Sequence, residues 1–142
     1  MDRKEFLKSL GFSTAAIAAV ASLNVLSGCM NTSGFPNPNS KADFTIDITD
    51  PNYSILNNTG GYIVKDGVVV AHTQSGAFAA VTVVCSHQGN PYVMFDGNSN
   101  TFYCPVHGAR YSTTGQGLNA NGRNGLKTYT VDVNGTQLHV YG

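Results

Sequence analysis

Cys85-Ser86-His87 and Cys104-Pro105-Val106-His107 are the two stretches of sequence that decide how this chain folds and what it can hold. Each stretch offers one thiol and one imidazole, and sixteen residues separate the two. A glycine follows each of them, at Gly89 and Gly108. Two sulfur donors and two nitrogen donors are typical of iron–sulfur and zinc sites. The spacing therefore predicts a metal site built from two loops.

The composition indicates one small domain rich in strands and turns. The chain has 142 residues, and its hydrophobic fraction of 42% is enough for one modest core. Sixteen glycines, no tryptophan and only 11% charged residues favour a β protein with many loops over a helical one. The formal net charge is zero and no nucleic-acid-binding motif is present, so we expect no nucleic-acid partner.

The hydrophobic pattern predicts antiparallel strands from residue 44 onward. Apolar and polar residues alternate over residues 44–49, as in a half-buried strand. Turn residues at 65–67 and 134–135 predict two hairpins. A nearly continuous apolar run over residues 78–84 ends at the first Cys–His pair, and a small hairpin over residues 92–103 leads to the second. Such a hairpin would bring the two loops side by side.

The pattern C-x-H … C-x-x-H, with a glycine after each pair, resembles the Rieske family of [2Fe–2S] proteins. The resemblance implies an all-β Rieske fold over residues 44–142, in which an antiparallel β-sandwich base carries a small inserted cluster-binding subdomain. That subdomain would cover roughly residues 85–112. In this family two cysteines hold one iron of the cluster and two histidines hold the other. The implied metal ligands are Cys85, Cys104, His87 and His107.

The resemblance also implies residues that tune the cluster. In quinol-oxidising members a serine lies two residues after the second histidine, and a tyrosine two residues further on. Here these positions are Ala109 and Tyr111, so one hydroxyl is lost and one is kept. We therefore expect an intermediate potential within the family range of roughly −150 to +300 mV. Backbone amides around Gly89 and Gly108 would donate to the sulfurs, and ordinary core packing is the alternative role of Tyr111.

Two departures separate the chain from the quinol-oxidising members. Those proteins carry a disulfide whose cysteines correspond to Asn90 and Val106, so this chain resembles Rieske ferredoxins in lacking it. Their proline-rich cover loop is replaced by residues 119–125, which the Asn- and Gly-rich sequence predicts to be flexible. Both departures argue against direct quinol oxidation. A disulfide between Cys85 and Cys104 and a structural zinc ion are the alternatives to a cluster.

The N-terminus is predicted to be a targeting segment. A basic start and an apolar run precede Leu26-Ser27-Gly28-Cys29, which resembles the lipobox of bacterial lipoproteins. Residues 1–28 would be the signal peptide, Cys29 the lipidated residue, and residues 29–43 a flexible tether. The stretch Arg3-Lys4 resembles a twin-arginine export signal with a lysine at the second position. An uncleaved membrane helix and an ordinary secretory signal are the alternatives.

The expected function is electron transfer by an exported protein, lipid-anchored to a bacterial membrane on its periplasmic side. It would pass single electrons between a redox donor and a redox acceptor rather than act as a stand-alone enzyme. The alternatives are an electron-relay subunit of a periplasmic oxidase and a divergent subunit of a respiratory quinol-oxidising complex. The two remaining histidines, His72 and His139, are expected on strands or at the surface.

Overall fold

The computed structural model describes residues 36–142, which form nine strands and a 3₁₀ helix at Ser54–Asn57. The predicted all-β class is confirmed. The strands are β1 (Asp43–Asp47), β2 (Tyr62–Lys65), β3 (Val68–His72), β4 (Phe78–Thr82), β5 (Met94–Asp96), β6 (Thr101–Cys104), β7 (Ala109–Tyr111), β8 (Thr128–Asn134) and β9 (Gln137–Tyr141).

The strands form two antiparallel sheets. The larger sheet has the order β1-β9-β8-β4-β3-β2, and the smaller has the order β5-β6-β7. Strand β8 joins the two halves of the larger sheet, because Thr128 and Tyr129 pair with β4 whereas residues 130–134 pair with β9. The smaller sheet is inserted in the chain between β4 and β8. This is the predicted arrangement of a base and an inserted subdomain.

Strands β3 and β4 form a central layer that is covered on both faces. Val68 and Val70 of β3 face a core shared with Ile46, Leu138 and other residues of the larger sheet. The intervening Val69 faces a second core, shared with the smaller sheet. Because both faces are buried, β3 is a continuous apolar run rather than an alternating one.

The two predicted hairpins are confirmed and depend on residues with positive φ. Strands β2 and β3 are joined through Asp66 (φ 50°) and Gly67 (φ 78°), the left-handed pair that a tight hairpin turn requires. Strands β8 and β9 are joined through Gly135, with a φ of 62°. These turns fix the registers that place the inward-facing residues in the two cores.

Residues 36–42, called here the N-terminal segment, lie against the domain, although the sequence predicts a flexible tether as far as residue 43. The backbone of Ala42 exchanges two hydrogen bonds with that of Gly142. The carbonyl of Ser40 accepts hydrogen bonds from Lys127 Nζ (2.8 Å) and Tyr129 Oη (2.9 Å). These partners are far away in sequence, which is why composition alone did not indicate them.

The predicted signal peptide, the predicted lipidation site Cys29 and the first part of the predicted tether lie outside the described residues. Within residues 36–142, the structure contains no helix with the length and apolarity needed to span a bilayer.

Candidate metal centre

The first Cys–His loop begins where the chain leaves β4 and turns back on itself. The Cys85 amide donates to Asn90 O (2.8 Å), and the Gly89 amide donates to Cys85 O (2.9 Å). Gly89 has a φ of 73°, a conformation that costs glycine little and other residues more. Cys85 is buried, whereas His87 is half-buried. The turn therefore holds the thiol in the core and the imidazole towards the surface.

The second loop repeats this construction at the end of β6. The Gly108 amide donates to Cys104 O (3.0 Å), and Gly108 has a φ of 71°. Cys104 is fully buried and pairs with Ala109 of β7, while His107 is exposed. Glycines four residues after each cysteine thus close two equivalent turns. The predicted donation of backbone amides around Gly89 and Gly108 to the cluster sulfurs stays a prediction, because the amides of these two glycines donate to carbonyl oxygens.

The two loops bring the four predicted ligands together as two pairs. The rings of His87 and His107 lie edge to face with their centroids 4.9 Å apart. Cys85 and Cys104 are both free thiols, so the structure does not contain the alternative disulfide. The buried atom Nδ1 of His87 has no hydrogen-bond partner among the described residues. An unpartnered buried imidazole nitrogen is costly unless it binds a metal or another donor.

The buried thiols lie in surroundings that favour the neutral form when no metal is bound. Burial is the main cause that raises the pKa of the Cys104 thiol, and neighbouring Cys85 raises it further. The backbone amides of Val106 and His107 act in the opposite direction because they donate towards the same sulfur. Those amides are the kind of donor expected to stabilise a metal-bound thiolate.

Tyr111 connects the smaller sheet to the first loop. Its side chain is fully buried, so it serves in core packing as well as in contact with the site. The Tyr111 hydroxyl lies 3.2 Å from Cys85 Sγ and 3.1 Å from Ser86 Oγ. Burial, together with the contact to Cys85, raises the pKa of Tyr111 to about 12. The hydroxyl is therefore neutral and able to donate at all ordinary pH values. Ala109, also fully buried, adds no hydroxyl.

A third loop, residues 119–125, braces the second Cys–His loop, contrary to the predicted flexibility. Asn119 Nδ2 donates to Gly108 O (2.7 Å), and Asn119 Oδ1 accepts from the Arg110 and Gly122 amides. Asn121 Nδ2 donates to the carbonyl of His107 itself (2.7 Å). The composition was typical of a flexible loop, but the asparagine side chains hold it in place. Sequence analysis missed Asn119 and Asn121 because these hydrogen bonds join residues 11 and 14 positions apart.

The donor set fits a group that presents sulfur ligation on its inner side and nitrogen ligation on its outer side. The two thiols are buried and lie beside each other, while the two imidazoles lie beside each other and are more exposed, as a binuclear cluster held from two loops would require. Within residues 36–142, no three His, Cys, Asp or Glu side chains converge as ligands of a single metal ion. His72 and His139 lie on β3 and β9, as expected.

Comparison with protein-family models matches residues 51–130 to the Rieske [2Fe–2S] domain. The cytochrome b6-f complex iron–sulfur subunit of Chlorobaculum thiosulfatiphilum is 34% identical over 74 residues, which are 52% of this chain and 40% of that protein. A second such subunit, from Chlorobaculum tepidum, is 31% identical over 84 residues, which are 58% of this chain and 46% of that protein. The chain thus spans less than half the length of the curated relatives it matches.

One solved structure is similar to this chain over nearly the whole length of the solved protein. The ferredoxin of carbazole 1,9a-dioxygenase from Nocardioides aromaticivorans IC177 is 25% identical, with a TM-score of 0.50. The similarity covers 61% of this chain and 90% of the ferredoxin. The match agrees with the predicted fold.

Proposed function

Because the chain belongs to the Rieske [2Fe–2S] domain family and therefore binds a [2Fe–2S] cluster, we propose that it carries single electrons between redox partners. We further propose that Cys85, Cys104, His87 and His107 are the cluster ligands. The observation that carries this assignment is that the two loops bring two buried thiols together and two more exposed imidazoles together.

The two pairs of side chains differ in burial, and each pair would have a different task. When bound, the cluster supplies a one-electron couple. The two cysteines bind as thiolates inside the core, where the packed side chains around them exclude water. The two histidines bind as neutral imidazoles at the surface, so an electron can enter or leave there. Because only two of the four ligands are anionic, the reduced state is less disfavoured than with four thiolates.

The ligand assignment is tested by replacing each ligand in turn. His107→Ala and Cys85→Ser should remove the visible absorption and the reduced-state EPR signal of the cluster in the purified protein. His139→Ala is the matched control, because His139 lies on β9 outside the two loops, and it should keep both signals. Stoichiometric zinc without visible absorption in the wild-type protein would instead favour the structural zinc alternative.

We propose that the protein is exported and lipid-anchored through Cys29. The proposal is supported by the lipobox-like stretch ending at Cys29 and by the twin-arginine-like start of the chain. Since seven peptide units separate Cys29 from Pro36, the anchor would lie within about 25 Å of the first described residue. A tether this short would keep the domain close to the bilayer on the periplasmic side.

Fatty-acid labelling of intact cells tests the anchor. Cys29→Ser should abolish labelling and release the protein from the membrane fraction. Cys104→Ser also removes one cysteine but should leave the label in place. Labelling that persists in Cys29→Ser would contradict the anchor without bearing on the cluster.

A subunit role is the second candidate, and the two curated relatives favour it. Both are named as iron–sulfur subunits of a cytochrome b6-f complex. If this chain is a subunit of a respiratory or oxidase complex, extraction in mild detergent should yield it in one stable assembly with other proteins. If it is a free carrier, it should migrate alone and exchange electrons with partners only transiently.

A further inference from the structure

Three side chains of the metal centre form a row of hydrogen bonds that starts in the first loop and ends on a sulfur. Ser86 Oγ lies 3.1 Å from the Tyr111 hydroxyl, which lies 3.2 Å from Cys85 Sγ. Tyr111 is fully buried and Ser86 is half-buried. The positions of all three are fixed by the loop and by β7, so the row is part of the folded domain.

The chemistry of the three groups sets the direction of these hydrogen bonds. If Cys85 is a metal-bound thiolate, as proposed above, its sulfur has no proton and only accepts. The Tyr111 hydroxyl has a single proton, which must then be donated to that sulfur. Its oxygen is left to accept from the Ser86 hydroxyl. Ligation by Cys85 would therefore set the direction of both hydrogen bonds, with Ser86 as the first donor.

We propose that Ser86 is a positioning residue that raises the reduction potential of the cluster by acting through Tyr111. A hydroxyl that accepts one hydrogen bond becomes a stronger donor of its own, and the bond from Ser86 also stops the Tyr111 proton from rotating away from the sulfur. A hydrogen bond donated to a ligand sulfur stabilises the added electron. This inference rests on the proposed role of Cys85 as a ligand.

The test compares two side chains of the same shape that differ in a hydroxyl. Ser86→Thr and Ser86→Val are made in the full-length protein carrying its cluster, and the midpoint potential of each is measured at one pH. We expect Ser86→Thr to match the wild-type protein. We expect Ser86→Val to shift the ratio of oxidised to reduced cluster at a fixed applied potential by two- to tenfold towards the oxidised form. A tenfold change corresponds to about 59 mV for a one-electron couple.

The same pair of variants in a Tyr111→Phe background shows whether Ser86 acts through Tyr111. Without the tyrosine hydroxyl, the Thr and Val variants should have equal potentials. Ser112→Ala is the control and should keep the wild-type potential. Ser112 lies beside Tyr111 in the chain, but its hydroxyl bonds Thr114 and Gln116. If the Val variant does not assemble the cluster, Ser86→Ala, which is smaller than serine, replaces it.

Two results would overturn the inference. One is an equal potential for the Thr and Val variants when Tyr111 is present. The other is a Thr–Val difference of the same size in the Tyr111→Phe background, which would mean that Ser86 acts independently of the tyrosine. The visible and EPR signals of the cluster report on the proposed ligands separately, so failure of the ligand assignment is not confused with failure of this inference.

Discussion

At the scale of single residues, Asn121 offers the most direct contact between the third loop and a proposed ligand. Its side-chain amide donates to the carbonyl of His107 (2.7 Å), and nothing in the loop's sequence suggested it. The hydrogen bond restrains the backbone of an exposed residue whose side chain is the proposed cluster ligand. Since the two residues belong to different loops, this contact and the Asn119–Gly108 hydrogen bond together limit how far the second Cys–His loop can open.

Loss of this contact should loosen the cluster. In Asn121→Ala we expect chelator-driven loss of the cluster to be several-fold faster, because His107 would be held less firmly. The free energy of unfolding should fall by about 1 kcal/mol, a typical value for one hydrogen bond. The decay of visible absorption in excess chelator measures the first effect. Asn124→Ala, at an exposed position of the same loop, is the control, and equal rates for the two variants would contradict the role of Asn121.

The residues that carry the proposed chemistry were visible in the sequence, whereas those that support them were not. The four Cys and His side chains were predicted from spacing within each loop, and the structure brings the two imidazoles together and the two thiols together. The supporting hydrogen bonds join residues that are 9 to 25 positions apart in the sequence; they are made by Asn119, Asn121 and Ser86. No local pattern encodes such a distance, because it depends on how the smaller sheet folds back on the first loop.

At the scale of elements, the hairpin of β5 and β6 depends on the carboxylate of Asp96. The hydroxyl of Ser99 donates to Asp96 Oδ2 (2.8 Å), and the Asn98 amide donates to Oδ1 (3.0 Å). The Ser99 hydroxyl is the main cause that lowers the pKa of Asp96, and the Asn98 amide adds to it. A carboxylate whose pKa is lowered in the folded state stabilises the fold above its ordinary pKa. That stabilisation is lost as the pH falls through the lowered value.

Removal of the Ser99 hydroxyl should weaken this pH dependence. In Ser99→Ala the pKa of Asp96 should rise towards its ordinary value, as followed by NMR titration of the carboxyl group. The difference in urea stability between neutral and acidic pH should become smaller than in the wild-type protein. Ser54→Ala is the control, because the Ser54 hydroxyl bonds the Pro51 carbonyl rather than a carboxylate. An unchanged Asp96 titration in Ser99→Ala would contradict the assignment.

The elements differed in how far the sequence predicted them. Alternation and turn residues predicted β1 and both tight hairpins, since their signals lie within a few neighbouring residues. Strand β7 was missed because three residues are too few to show a period, and its pairing with β6 cannot be predicted from so short a stretch. The 3₁₀ helix was missed as well, since its one buried residue, Leu56, gives no repeating pattern.

At the scale of the whole molecule, the central layer of β3 and β4 connects the base to the metal centre. One face of this layer packs on β1 and β9, and the other packs on the smaller sheet and on both cysteines. The apolar run before Cys85 indicated a buried strand, but not that one layer would serve two cores. A packing defect on the base side of this layer would thus be separated from the proposed cluster ligands only by the two strands themselves.

The N-terminal segment is held by side chains of the base at the point where the chain enters the domain. Tyr129, nearly buried on β8, donates to Ser40 O across 89 residues of sequence. Lys127 donates to the same carbonyl, and its ammonium lies 4.6 Å from the centre of the Tyr129 ring. Residues 36–42 are therefore held against the fold by side chains of the base.

In Tyr129→Phe the ring stays in place while one hydrogen bond to the segment is lost. At about 1 kcal/mol for that bond, the Ser40 and Ala42 amides should exchange with solvent about fivefold faster, as measured by hydrogen exchange. Tyr141→Phe is the matched control, because its hydroxyl bonds Asp132 within the β8–β9 hairpin and does not reach the segment. Unchanged exchange in Tyr129→Phe would mean that the pairing of Ala42 with Gly142 is sufficient to hold the segment. The N-terminal segment would then be held by its backbone alone, and the side chains of the base would have no part in fixing it.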